Sequence, residues 1–169
     1  LGYVNIIVKN LVNLMYTPML LAFVGQGEYG VFQASNSVVF SLSLLTFGFS
    51  EAYIRFYTKK QAEGSEGDVS ALNGMYLMLY SIVFAVTLAL GLLFASNVSL
   101  FLGGFTQEQL EIASTLMSIM ALNVSLTLFS SVFDAYIMAH EQFRFQQLRQ
   151  LFVSIATPGI ALFLLEFGM

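Results

Sequence analysis

Cysteine is absent from the 169 residues, which excludes disulfides, thiolate metal sites and thiol nucleophiles and leaves the redox compartment open. Charge is scarce. Charged residues make up 9% of the chain, hydrophobic residues 57%, and mean hydropathy is +0.79, against about 25% charged and about 45–50% apolar in an ordinary soluble domain. A soluble globular enzyme does not fit that composition. Positive charge is the scarcer sign, six Lys and Arg against ten Asp and Glu, with a net charge of −4, and this argues against a nucleic-acid partner. There is a single histidine. The segment His140-Glu141-Gln142-Phe143-Arg144 opens like a zincin helix, but Arg144 stands where the second ligand would be. With no second His, no metal site of that type is built, and neither metal nor cofactor is expected.

What charge there is falls in clumps. None occurs in residues 10–27, 29–50, 69–107, 112–133 or 150–165. A bilayer core about 30 Å thick needs roughly 20 apolar residues at about 1.5 Å each, so each of these runs is a candidate span. The runs are continuously apolar rather than alternating, which favours helices over barrel strands. The expected fold is all-α, a polytopic transmembrane helix bundle forming one domain over residues 1–169. Its spans are expected at about 3–24, 31–57, 72–95, 112–139 and 151–167, with Gly and Ser gathered in the links between them. The link 140–150 alternates aromatic or aliphatic with polar residues and is expected to lie along the membrane interface before the fifth span. All six basic residues (Lys9, Arg55, Lys59, Lys60, Arg144, Arg149) fall at the start of span one, in the last turn of span two as it leaves the membrane, or in the second and fourth links. By the positive-inside rule those segments and the N-terminus face the cytoplasm.

Polar residues inside the spans each need a partner or water at membrane depth. Asn5, Lys9, Asn13 and Tyr16 recur at steps of three and four in span one; Gln33, Ser37, Ser41, Gly48, Glu51 and Arg55 do so in span two, with one double step of seven from Ser41 to Gly48, and Asn123, Thr127, Ser130 and Asp134 in span four. Such steps place each set on one helical face. Span three has only scattered hydroxyls and tyrosines and reads as a lipid-facing or packing helix. Three polar faces suit a bundle that lines an aqueous or headgroup-sized cavity; hydrogen bonds between helices are the plainer reading of the hydroxyls and amides. Lys9 precedes Gly25 by about 24 Å of helix, near the inner face, where snorkelling also accounts for it. Glu51 and Arg55 stand four apart in the order that favours an intrahelical pair. Alternatively, Arg55 with Lys9 meets a phosphate, since guanidinium suits phosphate oxygens.

Other motifs fail on inspection. Asn97-Val98-Ser99 is a glycosylation sequon in a predicted outer link, and Asn123-Val124-Ser125 is one inside a span. Gly27, Gly30, Gly103 and Gly104 lack the Lys-Ser or Lys-Thr of a phosphate-binding loop. No acid pair or Ser, His, Asp set marks a membrane-embedded enzyme, and a purely structural membrane subunit is the plainest alternative.

The stretch Tyr16-Thr17-Pro18-Met19-Leu20-Leu21, with Gly25-Gln26-Gly27-Glu28-Tyr29-Gly30, resembles the end of the first helix and the first outer turn of bacterial oligosaccharide and polysaccharide flippases. Phe47-Gly48-Phe49-Ser50-Glu51-Ala52-Tyr53-Ile54-Arg55-Phe56-Tyr57 is similar to their second-helix exit. Leu72-Asn73-Gly74-Met75 resembles their third-helix start, and Ala139-His140-Glu141-Gln142-Phe143-Arg144-Phe145-Gln146 their link before helix five. The set is in order and is spread over nearly the whole chain. Their superfamily also holds multidrug and toxic compound extrusion transporters and the lipid II flippase. The resemblance implies two six-helix lobes around a central cavity, alternating access, and movement of an undecaprenyl-diphosphate-linked oligosaccharide across the cytoplasmic membrane for cell-surface polysaccharide synthesis. A proton or sodium gradient would drive it, and the partners would be the bilayer and the lipid-linked substrate. The chain, which begins at Leu1 inside an apolar run, reads as most of the N-terminal lobe of a longer transporter. The expected substrate-facing residues are Lys9, Asn13, Gln33, Ser37, Ser41, Glu51, Arg55, Asn123 and Asp134. The lipid II flippase lines its cavity with several arginines, whereas these spans offer only Lys9 and Arg55. An ion-coupled multidrug or cation exporter of the same fold is the second expectation; it calls for carboxylates deep in the helices, and here they lie near the ends.

Overall fold

The computed structural model describes residues 2–46, 48–64, 66–140 and 142–166. They form helices and turns, with no strand among them. In chain order these are α1 (Gly2–Val24), α2 (Gln26–Phe40), a 3-10 segment (Ser41–Thr46), α3 (Phe49–Ala62), α4 (Glu66–Ser96), the single turn α5 (Val98–Phe101), α6 (Gln107–Ala139) and α7 (Phe143–Glu166). Four stretches among the described residues are long and apolar enough to cross a membrane: Tyr3–Val24, Gln26–Ala62, Gly67–Ser96 and Gln107–Ala139. Residue 167 of the expected fifth span, and Phe47 and Glu141 of the stretches that resemble flippases, lie outside the described residues.

The chain gathers into two compact units. The larger, Gly30–His140, is organised by α4 and α6. They pack antiparallel: Ser114 on α6 donates to the Ala95 carbonyl of α4 at 2.8 Å, and Phe84 on α4 meets Phe129 on α6 with ring centroids 6.1 Å apart. The buried residues of α4 (Tyr76, Tyr80, Val83, Thr87, Ala95) and of α6 (Ala113, Met117, Ala121, Ser125, Leu128, Val132, Ala135, Ala139) recur at helical steps, so each helix lays one stripe against the other. At Gly91 the two backbones come close enough that a Cβ there would collide with the Cβ of Ala121. Small residues permit this close approach where lipid supplies no hydrophobic drive. Span three, read from sequence as a lipid-facing or packing helix, is thus a main packing element.

The seam has two unlike halves. Toward α5 it is mainly aliphatic, with Val31, Val39, Leu42, Ala95, Val98, Leu102, Ala113, Met117 and Ala121 in one cluster. Toward the other end Tyr53, Tyr57, Tyr76 and Tyr80 pack with Val132, Ala135 and Ala139.

Helix ends depart from the apolar runs. α6 begins at Gln107 rather than 112, because Thr106 Oγ1 accepts from Gln109 N–H at 3.3 Å while Thr106 N–H donates to Gln109 Oε1 at 3.0 Å. That reciprocal cap, with Glu108 in the first turn, satisfies orphan donors and suits the helix dipole. The expected link 58–70 is mostly helix. α3 runs on to Ala62 and α4 starts at Glu66, joined by a turn in which Gly64 takes φ +71° and donates to the Gln61 carbonyl at 3.1 Å. Lys60 bridges the turn to Asp68 at 2.7 Å and lies 3.9 Å from Glu63.

The expected continuous helix 31–57 is broken. After α2 the chain tightens into 3-10 geometry over Ser41–Thr46, then Gly48 takes φ +82° ahead of α3. Ser41 and Ser43 donate to carbonyls three residues back, Val38 at 2.6 Å and Phe40 at 2.7 Å. These local bonds compete with the α-helical ladder, and the left-handed conformation that ends the run suits a glycine.

The second unit combines Leu1–Tyr29 with Glu141–Met169. In it α1 and α7 are tied by Asn5, whose Nδ2 donates to the Gln147 carbonyl at 2.9 Å and to Gln147 Oε1 at 2.6 Å. α1 ends where Gly25 takes φ +90° and donates to the Leu21 carbonyl at 3.0 Å. The link expected at 140–150 is far shorter than that. α7 already starts at Phe143, so Arg144, Gln146, Gln147 and Arg149 belong to its first two turns.

Candidate functional site

The sequence-derived set divides between the two units. Lys9 and Asn13 lie on α1, and both are exposed. In the other unit Gln33 and Ser37 on α2, Ser41 in the 3-10 segment, Glu51 and Arg55 on α3, and Asn123 on α6 are also exposed, while Asp134 on α6 is half-buried. None of the nine is a core residue. On α6, Asn123 and Asp134 are eleven residues apart, close to three full turns, so they share one face about 16 Å apart along the axis. On the α2–α3 segment the expected single face is interrupted by the 3-10 segment and Gly48, so Gln33 with Ser37 and Glu51 with Arg55 form two separate polar patches.

The hydroxyls in these faces bond to their own helices. Ser37 donates to the Gln33 carbonyl at 2.9 Å, Thr127 to Asn123 at 2.8 Å, and Ser130 to Thr127 at 2.9 Å. They need neither a neighbouring helix nor a ligand. The chemistry of the faces therefore rests on the amides and charged groups: Lys9, Asn13, Gln33, Glu51, Arg55, Asn123 and Asp134. No ion pair joins Glu51 to Arg55, whereas the α3–α4 turn holds pairs between Lys59 and Glu63, Lys60 and Glu63, and Lys60 and Asp68. The expected intrahelical pair is absent although its spacing is favourable. Glu51 therefore leaves the five donors of the Arg55 guanidinium to other acceptors.

A second polar assembly, missed in the sequence, occupies the aromatic half of the α3–α4–α6 seam. Tyr53 on α3 donates to Asn73 Oδ1 on α4 at 2.7 Å, and Tyr80 shares a 3.0 Å hydrogen bond with Ser50. The Tyr57 hydroxyl lies 2.9 Å from His140 Nε2, and His140 Nδ1 lies 2.9 Å from the Tyr136 carbonyl. The rings interlock: Tyr53 meets Tyr76 at 4.9 Å in an edge-on arrangement, Tyr57 meets His140 at 5.1 Å, and Tyr136 meets His140 at 4.2 Å. A signal was available. Tyr53 and Tyr57, Tyr76 and Tyr80, and Tyr136 and His140 are three pairs spaced four apart, each pair sharing a helical face. Counted only as apolar positions, the tyrosines concealed it.

No family model, curated protein or solved structure matches the chain.

Proposed function

We propose that the chain is part of a membrane flippase, contributing most of the first of two lobes, that moves a lipid-linked oligosaccharide across the cytoplasmic membrane by alternating access. In this reading α7 is a fifth span, the N-terminus lies in the cytoplasm, and the basic residues mark the inner mouth. The observation that supports it is the exposure of Gln33, Glu51, Arg55 and Asn123 on two stretches, Gln26–Ala62 and Gln107–Ala139, long and apolar enough to cross a bilayer. An ionised or amide side chain facing hydrocarbon is costly, so such residues belong toward water or a partner.

The chemistry of export follows from that arrangement. A flippase must lower the cost of carrying a hydrated glycan through hydrocarbon while the lipid tail stays in the bilayer. Polar faces on α1, α2 and α6 supply water and hydrogen bonds to the sugar. Arg55, by paired hydrogen bonds, and Lys9, as a point charge, are each the phosphate-binding candidate of their own unit. Rocking of one lobe against the other then exposes the cavity alternately, with a proton or sodium ion as the coupling ion.

The test is surface polysaccharide in the producing cell, measured at matched protein level after Arg55→Gln and Lys9→Gln. A tenfold or greater loss in the double substitution is expected, which is about 1.4 kcal/mol. Unchanged polysaccharide removes both residues from the mechanism. Unchanged polysaccharide together with loss of resistance to cationic compounds favours the exporter reading instead.

A further inference from the structure

The one histidine of the chain stands at the end of α6, where its backbone N–H also donates to the Tyr136 carbonyl at 3.2 Å. Its Nδ1 lies 2.9 Å from that same carbonyl oxygen. A carbonyl only accepts, so Nδ1 carries a proton; in the neutral ring Nε2 is then a bare lone pair, and the hydroxyl of Tyr57, 2.9 Å away, donates to it. Tyr57 belongs to α3 and is 4% exposed, whereas His140 is exposed and within reach of water. This hydrogen bond fastens α3 to the end of α6.

We propose that Tyr57 and His140 form a proton-operated clasp between α3 and α6, closed when the imidazole is neutral and released when it takes a proton from water. Protonation adds a hydrogen to Nε2 and turns it from acceptor into donor. The Tyr57 oxygen must then accept, and its own O–H, on a buried side chain, loses the acceptor it had. A buried polar hydrogen without a partner is disfavoured, so the contact opens rather than tightens. The titratable groups around the imidazole are Tyr57 from α3 and Tyr136 from α6, with Tyr53 and Tyr76 packed against one another beside Tyr57. The charged residues that α3, α4 and α6 carry toward this end are Glu51, Arg55, Lys59, Lys60, Glu66, Asp68 and Asp134. Of these, Lys60 is held by Asp68 and Lys59 lies 4.0 Å from Glu63. The clasp is independent of what the protein carries.

The chain suits a direct test, because it has one histidine and no cysteine. With the protein in lipid nanodiscs, imidazole nitrogen resonances report the tautomer and the titration of His140. Spin labels on Gln61→Cys in α3 and Phe133→Cys in α6, both exposed positions, report the separation of the two helices. The expected results are an Nδ1–H tautomer in the neutral form, a single narrow distance above the titration, and loss of that narrow peak below it. His140→Gln removes the pH dependence, and Tyr57→Phe shows the broad distribution on both sides. A neutral Nε2–H tautomer, a distance unchanged across the titration, or a pH dependence that survives in His140→Gln overturns the clasp.

Discussion

Gly91→Ala is expected to destabilise the larger unit by about 1–3 kcal/mol, the range for an added methyl group in a packed core, while Gly74→Ala on the same helix gains up to about 1 kcal/mol from helix propensity. The contrast isolates packing, since both glycines are helical residues of α4 and the chemical change is identical. At Gly74 no atom lies within 4 Å of the new Cβ; at Gly91 the new Cβ meets the Cβ of Ala121, with Ala121 Cα at 3.3 Å and a Leu42 methyl at 3.5 Å. The Ala121 Cβ is fixed to its backbone and cannot rotate away. α4 and α6 must therefore separate, and that loosens the aliphatic half of the seam. Unfolding of the two variants in the same detergent measures the difference; equal stability would mean that the helices do not approach as closely as described.

The second large effect concerns the faces that do not pack. Ile82 on α4 and Asn123 on α6 both lie near the middle of a membrane-length helix, and both are exposed. If the exposed side of α4 meets lipid, Ile82→Lys raises the cost of insertion by about 3 kcal/mol, on the order of a hundredfold in the insertion equilibrium. If the Asn123 face meets water, Asn123→Lys costs far less. The amount of membrane-integrated protein at equal synthesis compares them. A similar loss for both would place Asn123 against lipid and remove α6 from the cavity.

Much of the helical layout is legible in the sequence because a bilayer imposes a length on apolar runs and charge avoids them. Gaps in the charge alone locate α1, α4 and α6. The ends are less legible, because what extends a helix beyond the bilayer is local chemistry rather than hydropathy. The Thr106 and Gln109 cap carries α6 back to Gln107, and the Lys60 and Asp68 pair accompanies helical structure through most of a polar link. The break at Ser41–Thr46 is hidden for the same reason: its residues are as apolar as their neighbours, and only the serine hydroxyls and Gly48 signal it.

For the site, helical periodicity picks out residues that stay exposed but does not tell which polar contacts are internal. Ser37 and Thr127 are satisfied by their own helices, and Glu51 and Arg55 keep apart despite a favourable spacing. The aromatic assembly around Tyr57 and His140 is hidden because a tyrosine counts as apolar until its hydroxyl is placed.

The central claim, that the exposed polar faces meet water within a membrane, is tested most directly by single cysteines introduced into this cysteine-free chain. With the protein in intact membranes, a small water-soluble maleimide is expected to label Ser37→Cys and Asn123→Cys readily and to leave Ile82→Cys and Val86→Cys on α4 nearly unlabelled until detergent is added. Equal protection at all four positions would contradict the account.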